Sequence, residues 1–169
     1  FDAGGNATGT TDELGRTTLF GYDALDRMTS VTNALGDSST MSFDAVGNAI
    51  SATDELGRRS QTVYDSLNRP TRLIDPLGHE TRFAYDPYGN QVSMTDALGA
   101  ISRYQYDSLN RMVGMTDALG GIYSSTFDAV GNRLSDTDPL SRTTSYQYDA
   151  LDRMIATTNP IGNTSRMAY

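Results

Sequence analysis

The sequence predicts an all-β fold, an antiparallel meander of about sixteen short strands curled into a spiral wall, tube or shell. Three observations carry this reading: a fixed 21-residue period along all 169 residues, two turn signals in every period, and strand-like alternation between the turns. An aromatic residue followed by Asp recurs without a slip at Phe1-Asp2, Tyr22-Asp23, Phe43-Asp44, Tyr64-Asp65, Tyr85-Asp86, Tyr106-Asp107, Phe127-Asp128 and Tyr148-Asp149, and Tyr169 opens a ninth unit. Such a period marks one supersecondary unit copied along the chain. Residues 1–169 are therefore expected to be a single repeat array of eight units. Its start and stop at unit boundaries point to an excerpt of a longer chain.

The first turn of each unit begins at the Asp after the aromatic, as in Asp44-Ala45-Val46-Gly47, Asp65-Ser66-Leu67-Asn68 and Asp86-Pro87-Tyr88-Gly89. The second follows half a period later, as in Asp12-Glu13-Leu14-Gly15, Asp75-Pro76-Leu77-Gly78 and Asn159-Pro160-Ile161-Gly162. Asp or Asn first and Pro permitted second is the pattern of a type I turn, with the leading side chain accepting a backbone N–H. The fourth residue must then enter the left-handed region, which Gly does freely and Asn or Asp better than other residues. Gly15, Gly36, Gly57, Gly78, Gly99, Gly120 and Gly162 take that place at the second turn, and only Ser141 departs. A type I turn closed in this way connects a hairpin through a bulge.

Between turns, segments of about seven residues alternate with period two, as in Arg103-Tyr104-Gln105-Tyr106, and read as antiparallel strands. One face collects the repeated aromatics with Phe20, Met41, Phe83, Tyr104 and Tyr146, joined by Val31, Leu73, Met94 and Met115 from the neighbouring strands. The other carries Thr, Ser, Gln, Arg and Gly. A Thr column at the tenth position after the aromatic is broken only by Ile74. A long sheet with one apolar face must cover that face, and large twisted sheets curl, split or stack.

A longer period is superimposed. The fifth position alternates strictly between Asn6, Asn48, Asn90, Asn132 and Arg27, Arg69, Arg111, Arg153, and the fourth alternates in step between Gly and Asp or Asn. The units are thus paired into 42-residue superrepeats.

Cys, Trp and Lys are absent, Asp (18) far outnumbers Glu (3), and the net charge is -8. Thiol chemistry is excluded, and an acidic chain lacks the basic surface that a nucleic acid requires. No apolar run approaches the roughly 20 residues of a membrane span. The only histidine, His79, sits in a freely varied turn slot with no nucleophile or ligand cluster around it, so no catalytic constellation is expected. The aromatic column is read as core rather than as a sugar-stacking ladder, and the turn Asp residues as caps rather than calcium ligands. No cofactor is expected, with weak surface Ca²⁺ as the alternative. The alternating Arg residues are expected to pair with Asp across adjacent turns.

The aromatic-Asp pair followed by Gly-Asn or by Asn/Asp-Arg, with Thr-Asp-x-Leu-Gly between, resembles the YD repeats of the Rhs family over the whole chain. The resemblance implies a long β-sheet that spirals into a hollow shell, as in bacterial Rhs toxins, toxin-complex proteins and teneurins, and commonly one that encloses a C-terminal toxin. The expected function is a non-catalytic structural segment of a secreted or surface-exposed, bacterial-type protein, forming the wall of a filament or tube. The alternatives are part of a toxin-enclosing cocoon and a carbohydrate-binding adhesin. Expected partners are the array itself or adjacent repeats, an enclosed toxin domain or carbohydrate, and no nucleic acid.

Overall fold

A computed structural model describes residues 1–169 and contains sixteen strands and no helix. The strands form one sheet in which spatial order follows chain order, so the all-β meander expected from the period is the observed fold. They fall into two compact units, Phe1–Arg82 and Phe83–Tyr169.

In the first unit the strands are β1 (Gly9–Thr11), β2 (Thr17–Tyr22), β3 (Met28–Thr32), β4 (Ser38–Phe43), β5 (Ala49–Thr53), β6 (Arg59–Tyr64) and β7 (Pro70–Ile74), and the division between the units falls within β8 (Glu80–Tyr85). The second holds β9 (Gln91–Thr95), β10 (Ile101–Tyr106), β11 (Met112–Thr116), β12 (Ile122–Phe127), β13 (Arg133–Thr137), β14 (Thr143–Tyr148), β15 (Met154–Thr158) and β16 (Thr164–Arg166). Each 21-residue period thus supplies two strands and two hairpins. The first-turn hairpins β2–β3, β4–β5, β6–β7, β10–β11, β12–β13 and β14–β15 each carry a bulge at the neck: Gly21 pairs with Ser30 while Tyr22 pairs with Met28, and Thr126 pairs with Ser135 while Phe127 pairs with Arg133. Second-turn hairpins are regular, as in Ser30 with Thr40 and Thr32 with Ser38.

The turns follow from side-chain chemistry. Asp44 Oδ1 accepts the backbone N–H groups of Val46, Gly47 and Asn48, and Asp44 C=O accepts the Gly47 N–H. The fourth turn residue then has positive φ: 104° at Gly47, 59° at Asn68, 59° at Asp26 and 59° at Ser141. Ser141 therefore occupies the same left-handed position as the glycines it replaces. The Thr column also acquires a reason. It opens the second hairpin on the polar face, where the hydroxyls of Thr11 and Thr17, Thr137 and Thr143, and Thr158 and Thr164 approach to 2.9 Å.

Register places Phe20 beside Val31 and Met41 beside Ala52 on one face, with Leu19 beside Thr32 and Gln61 beside Ile74 on the other. Burial within this sheet is shallow. Tyr22, Phe43, Tyr64, Tyr85, Tyr106, Phe127 and Tyr148 are half-buried, Phe1 and Tyr169 are exposed, and Ala156 alone is buried. One layer of strands covers its aromatic column only by lateral contact with neighbouring strands.

Candidate functional site

The densest polar chemistry lies along the first-turn edge, where the fifth-position side chains join one repeat to the next. Arg27 is held in its own turn, its guanidinium bonding Asp23 Oδ2 at 2.7 Å. From there Nη1 donates to the Asp44 carbonyl of the next repeat at 3.1 Å, and Cζ stands 4.6 Å from the Phe43 ring centroid. Arg111 repeats the arrangement with Asp107, the Asp128 carbonyl at 2.9 Å and the Phe127 ring at 4.8 Å. Arg153 stands 4.7 Å over Tyr169. The expected Asp pairing across turns is thus replaced by pairing within the turn, because residues i and i+4 face each other across the hairpin neck. What crosses to the next repeat is a carbonyl bond and a cation–π contact. Arg27 and Arg111 are sheltered, each 25% exposed, and Arg153 is 45% exposed, whereas Arg16 and Arg58 at the second-turn edge are 67% and 62% exposed.

Asn alternates with Arg because it makes the next link. Nδ2 of Asn48 donates to Asp44 Oδ2 at 2.8 Å in its own turn and to Asn68 Oδ1 at 2.8 Å in the next. Asn6 reaches Asp26, Asn90 reaches Asn110 and Asn132 reaches Asp152 in the same way. The fourth position must offer an acceptor in the repeat after Asn, so Asp or Asn stands there at φ near 60°. In the repeat after Arg27 it is Gly47, where an added Cβ would lie 3.9 Å from Arg27 Nη1. The two alternations seen in sequence are therefore one ladder with two kinds of rung.

Electrostatics follow the same contacts. The Arg27 bond, aided by backbone N–H groups and opposed by partial desolvation, holds the Asp23 carboxyl below its usual range. Asn48 does so for Asp44 and Asn90 for Asp86. Hydroxyls of the aromatic column also have partners: Tyr22 donates to the Ala7 carbonyl at 3.1 Å, Tyr64 to Ala49 at 3.1 Å and Tyr169 to Met154 at 3.0 Å.

One polar cluster interrupts the apolar face. Asp136 stands in the column that also holds Val31, Ala52, Leu73, Met94, Met115 and Thr157, and its carboxylate accepts from Ser125 Oγ at 2.7 Å, Tyr146 Oη at 2.9 Å and Arg133 Nη1 at 3.0 Å. The bond to Asp136 first, and burial second, push the Tyr146 hydroxyl up. The cluster is satisfied internally. Its departure from the column was the available signal in sequence.

His79 bonds Asp75 Oδ2 through Nδ1 at 2.8 Å and is exposed at its turn, with no nucleophile joined to the pair. No three His, Asp or Glu side chains converge in a way that could hold a metal ion. An open groove of about 460 Å³ lined by Met28, Val31, Met41, Ala52 and Pro76 lies in the first unit.

Matches to the model described as RHS Repeat cover residues 1–38, 43–80, 64–101, 85–122 and 127–164, each beginning at a member of the aromatic column. The chain belongs to the RHS repeat family. No curated protein matches the sequence. Among solved structures, this RHS array is similar to TcdB2-TccC3 without its hypervariable C-terminal region, with a TM-score of 0.66 at 15% identity over 89% of the chain and 10% of the other. It is similar also to a second TcdB2-TccC3 structure, with a TM-score of 0.61 at 16% identity over 89% and 9%. A Tc holotoxin pore from Photorhabdus luminescens gives 0.60 at 14% identity over 94% and 12%. These likenesses share the fold, and the chain spans about a tenth of the length of each structure. No helix is long and apolar enough to cross a membrane.

Proposed function

We propose that this RHS array is non-catalytic wall material of a secreted or surface-exposed bacterial-type protein, one stretch of a hollow shell around a C-terminal toxin domain. The ladder carries this reading. The polar side chains of the first-turn edge are engaged in their own turn and the next, so the sequence features that looked most functional serve continuity of the sheet. An array whose repeats are fastened to their neighbours gains stability with length, as a wall requires. The fold shared with TcdB2-TccC3 favours enclosure.

A filament or tube is the second reading, favoured by the unbroken 21-residue spacing. Carbohydrate adhesion has less support, because the hydroxyls of Tyr22, Tyr64 and Tyr169 already bond the main chain. Electron cryomicroscopy of the full-length protein separates the readings. Discrete hollow particles with internal density support the shell, and long uniform fibres with a helical repeat replace it with the filament.

A further inference from the structure

The two kinds of rung cover the aromatic column unequally. Where the fifth position is Arg, its guanidinium lies over the ring of the next repeat: Cζ stands 4.6 Å from the Phe43 centroid at Arg27, 4.8 Å from Phe127 at Arg111 and 4.7 Å from Tyr169 at Arg153. Asn48 is too short to do this. Its amide is engaged by Asp44 and Asn68, and the Tyr64 ring of the next repeat carries no guanidinium. A groove of about 550 Å³ adjoins that ring, bordered by Asp44, Asn48, Asp65 and Asn68, and lies wholly within the first unit. The second unit holds its own copy 42 residues on, of about 540 Å³, with Tyr106, Asp107 and Asn110 in the places of Tyr64, Asp65 and Asn68.

We propose that the groove beside Asn48 is a socket for an arginine side chain of a basic partner peptide. The array itself shows what such a place accepts. Arg27 sets its guanidinium over Phe43 and donates from Nη1 to the Asp44 carbonyl at 3.1 Å. The corresponding carbonyl beside Tyr64 belongs to Asp65 and accepts the Asn68 N–H of its own turn, which leaves its second lone pair for a guest. Charge favours the same guest. In Arg turns the leading carboxylate is ion-paired, as Asp23 is with Arg27 and Asp65 with Arg69, whereas Asp44 is bonded by the neutral amide of Asn48 and by main-chain N–H groups. A cation entering the groove thus meets an aromatic ring, a carbonyl oxygen and a carboxylate that no arginine pairs, in a chain of net charge -8. Arginine suits these groups better than lysine, because a planar guanidinium stacks on a ring while its edge N–H groups bond nearby acceptors. Volume agrees, since ligand sites run from roughly 300 to 1,000 Å³. The proposal goes beyond the wall reading and does not depend on it.

Nuclear magnetic resonance of the 169-residue chain, titrated with acetyl-Gly-Arg-Gly-amide, tests the socket. Signals of the Tyr64 ring and the Asn68 amide should shift with a Kd on the order of 1 mM, the scale of a single side-chain contact. Acetyl-Gly-Lys-Gly-amide should bind about threefold more weakly. Tyr64→Phe keeps the ring and should leave the Asn68 response unchanged, while Tyr64→Leu should weaken it about three- to fivefold. Asn48→Arg combined with Asn68→Gly converts the rung to the Arg kind and fills the groove from within. It should abolish the response at Tyr64 while the response at Tyr106 persists, so the second unit reports that the chain is still folded. No shift at Tyr64 up to about 20 mM peptide, an equal Kd for the lysine peptide, or a Tyr64 response that survives the rung conversion would each overturn the inference. The wall reading is decided separately, by the particle shape of the full-length protein.

Discussion

Asn132→Ala isolates one rung of the ladder. The amide donates to Asp128 Oδ2 at 3.0 Å and to Asp152 Oδ1 at 2.8 Å, so truncation removes two hydrogen bonds to carboxylates. Bonds to charged groups contribute about 1.5 to 3 kcal/mol when sheltered; the Asp152 bond is exposed and is discounted, giving a total loss of about 2 kcal/mol. Asn48→Ala should cost somewhat less, about 1.5 kcal/mol, because its partner in the next repeat is the neutral amide of Asn68. Asn163 is the control. It fills the corresponding slot of the opposite edge, where its backbone N–H bonds Asn159 Oδ1 and an alanine keeps that bond. Asn163→Ala should stay within about 0.5 kcal/mol of wild type. Urea unfolding followed by far-ultraviolet circular dichroism measures all three, with m unchanged. Equal destabilisation by Asn132→Ala and Asn163→Ala would refute the ladder as a source of stability.

Acid should unfold the array in a defined direction. The Asp23, Asp44 and Asp86 carboxyls are held below their ordinary values in the folded state, so their contribution is complete above the unfolded pKa of about 3.9 and is lost as pH falls through the lower folded values. Melting temperature should therefore be level from about pH 5 to 8 and fall below about pH 4; an unchanged value at pH 2.5 would contradict the capping role. Gly89→Val, at φ 96°, should cost about 1 to 2 kcal/mol and Gly89→Asn less, with equal melting of wild type and the Val variant counting against the turn assignment. Chelation with excess EDTA should leave the β-sheet signal intact, and its collapse would reinstate calcium at the acidic turns.

Strand number, hairpin order and turn type were legible because each is written locally and copied eight times. Asp44 and Gly47 announce their turn within four residues, and Tyr104 and Gln105 announce opposite faces by adjacency. Strict alternation of Asn and Arg was equally visible, yet its cause was not. Arg27 bonds a backbone carbonyl seventeen residues away, and a carbonyl carries no mark in sequence. Pairing with Asp was the expectation, and Asp23 satisfies it inside the turn before any neighbour is reached. Asp136 likewise gains its meaning from Ser125 and Tyr146, ten or eleven residues distant and one strand away on either side.

The ladder also dictates which changes of length the array tolerates. Removing the 21 residues Tyr106–Thr126 would bring Asn90 against Gly131, which has no side-chain acceptor, whereas removing the 42 residues Tyr106–Gln147 would bring it against Asp152 and restore the rung. A double-mutant cycle makes this measurable without comparing chains of different length directly. In the full chain Gly131 has φ 106° and follows an Arg repeat, so Gly131→Asn pays the backbone cost and gains no bond from Asn90. In the chain lacking Tyr106–Thr126 the same substitution gives Asn90 an acceptor, and its cost should fall by about 1 kcal/mol, the contribution of one hydrogen bond. Equal costs in the two backgrounds would mean that the alternation has no energetic role. A coupling of the expected sign would explain in physical terms why the repeats are paired: arrays that grow or shrink by 42 residues keep every rung, and arrays that change by 21 break one.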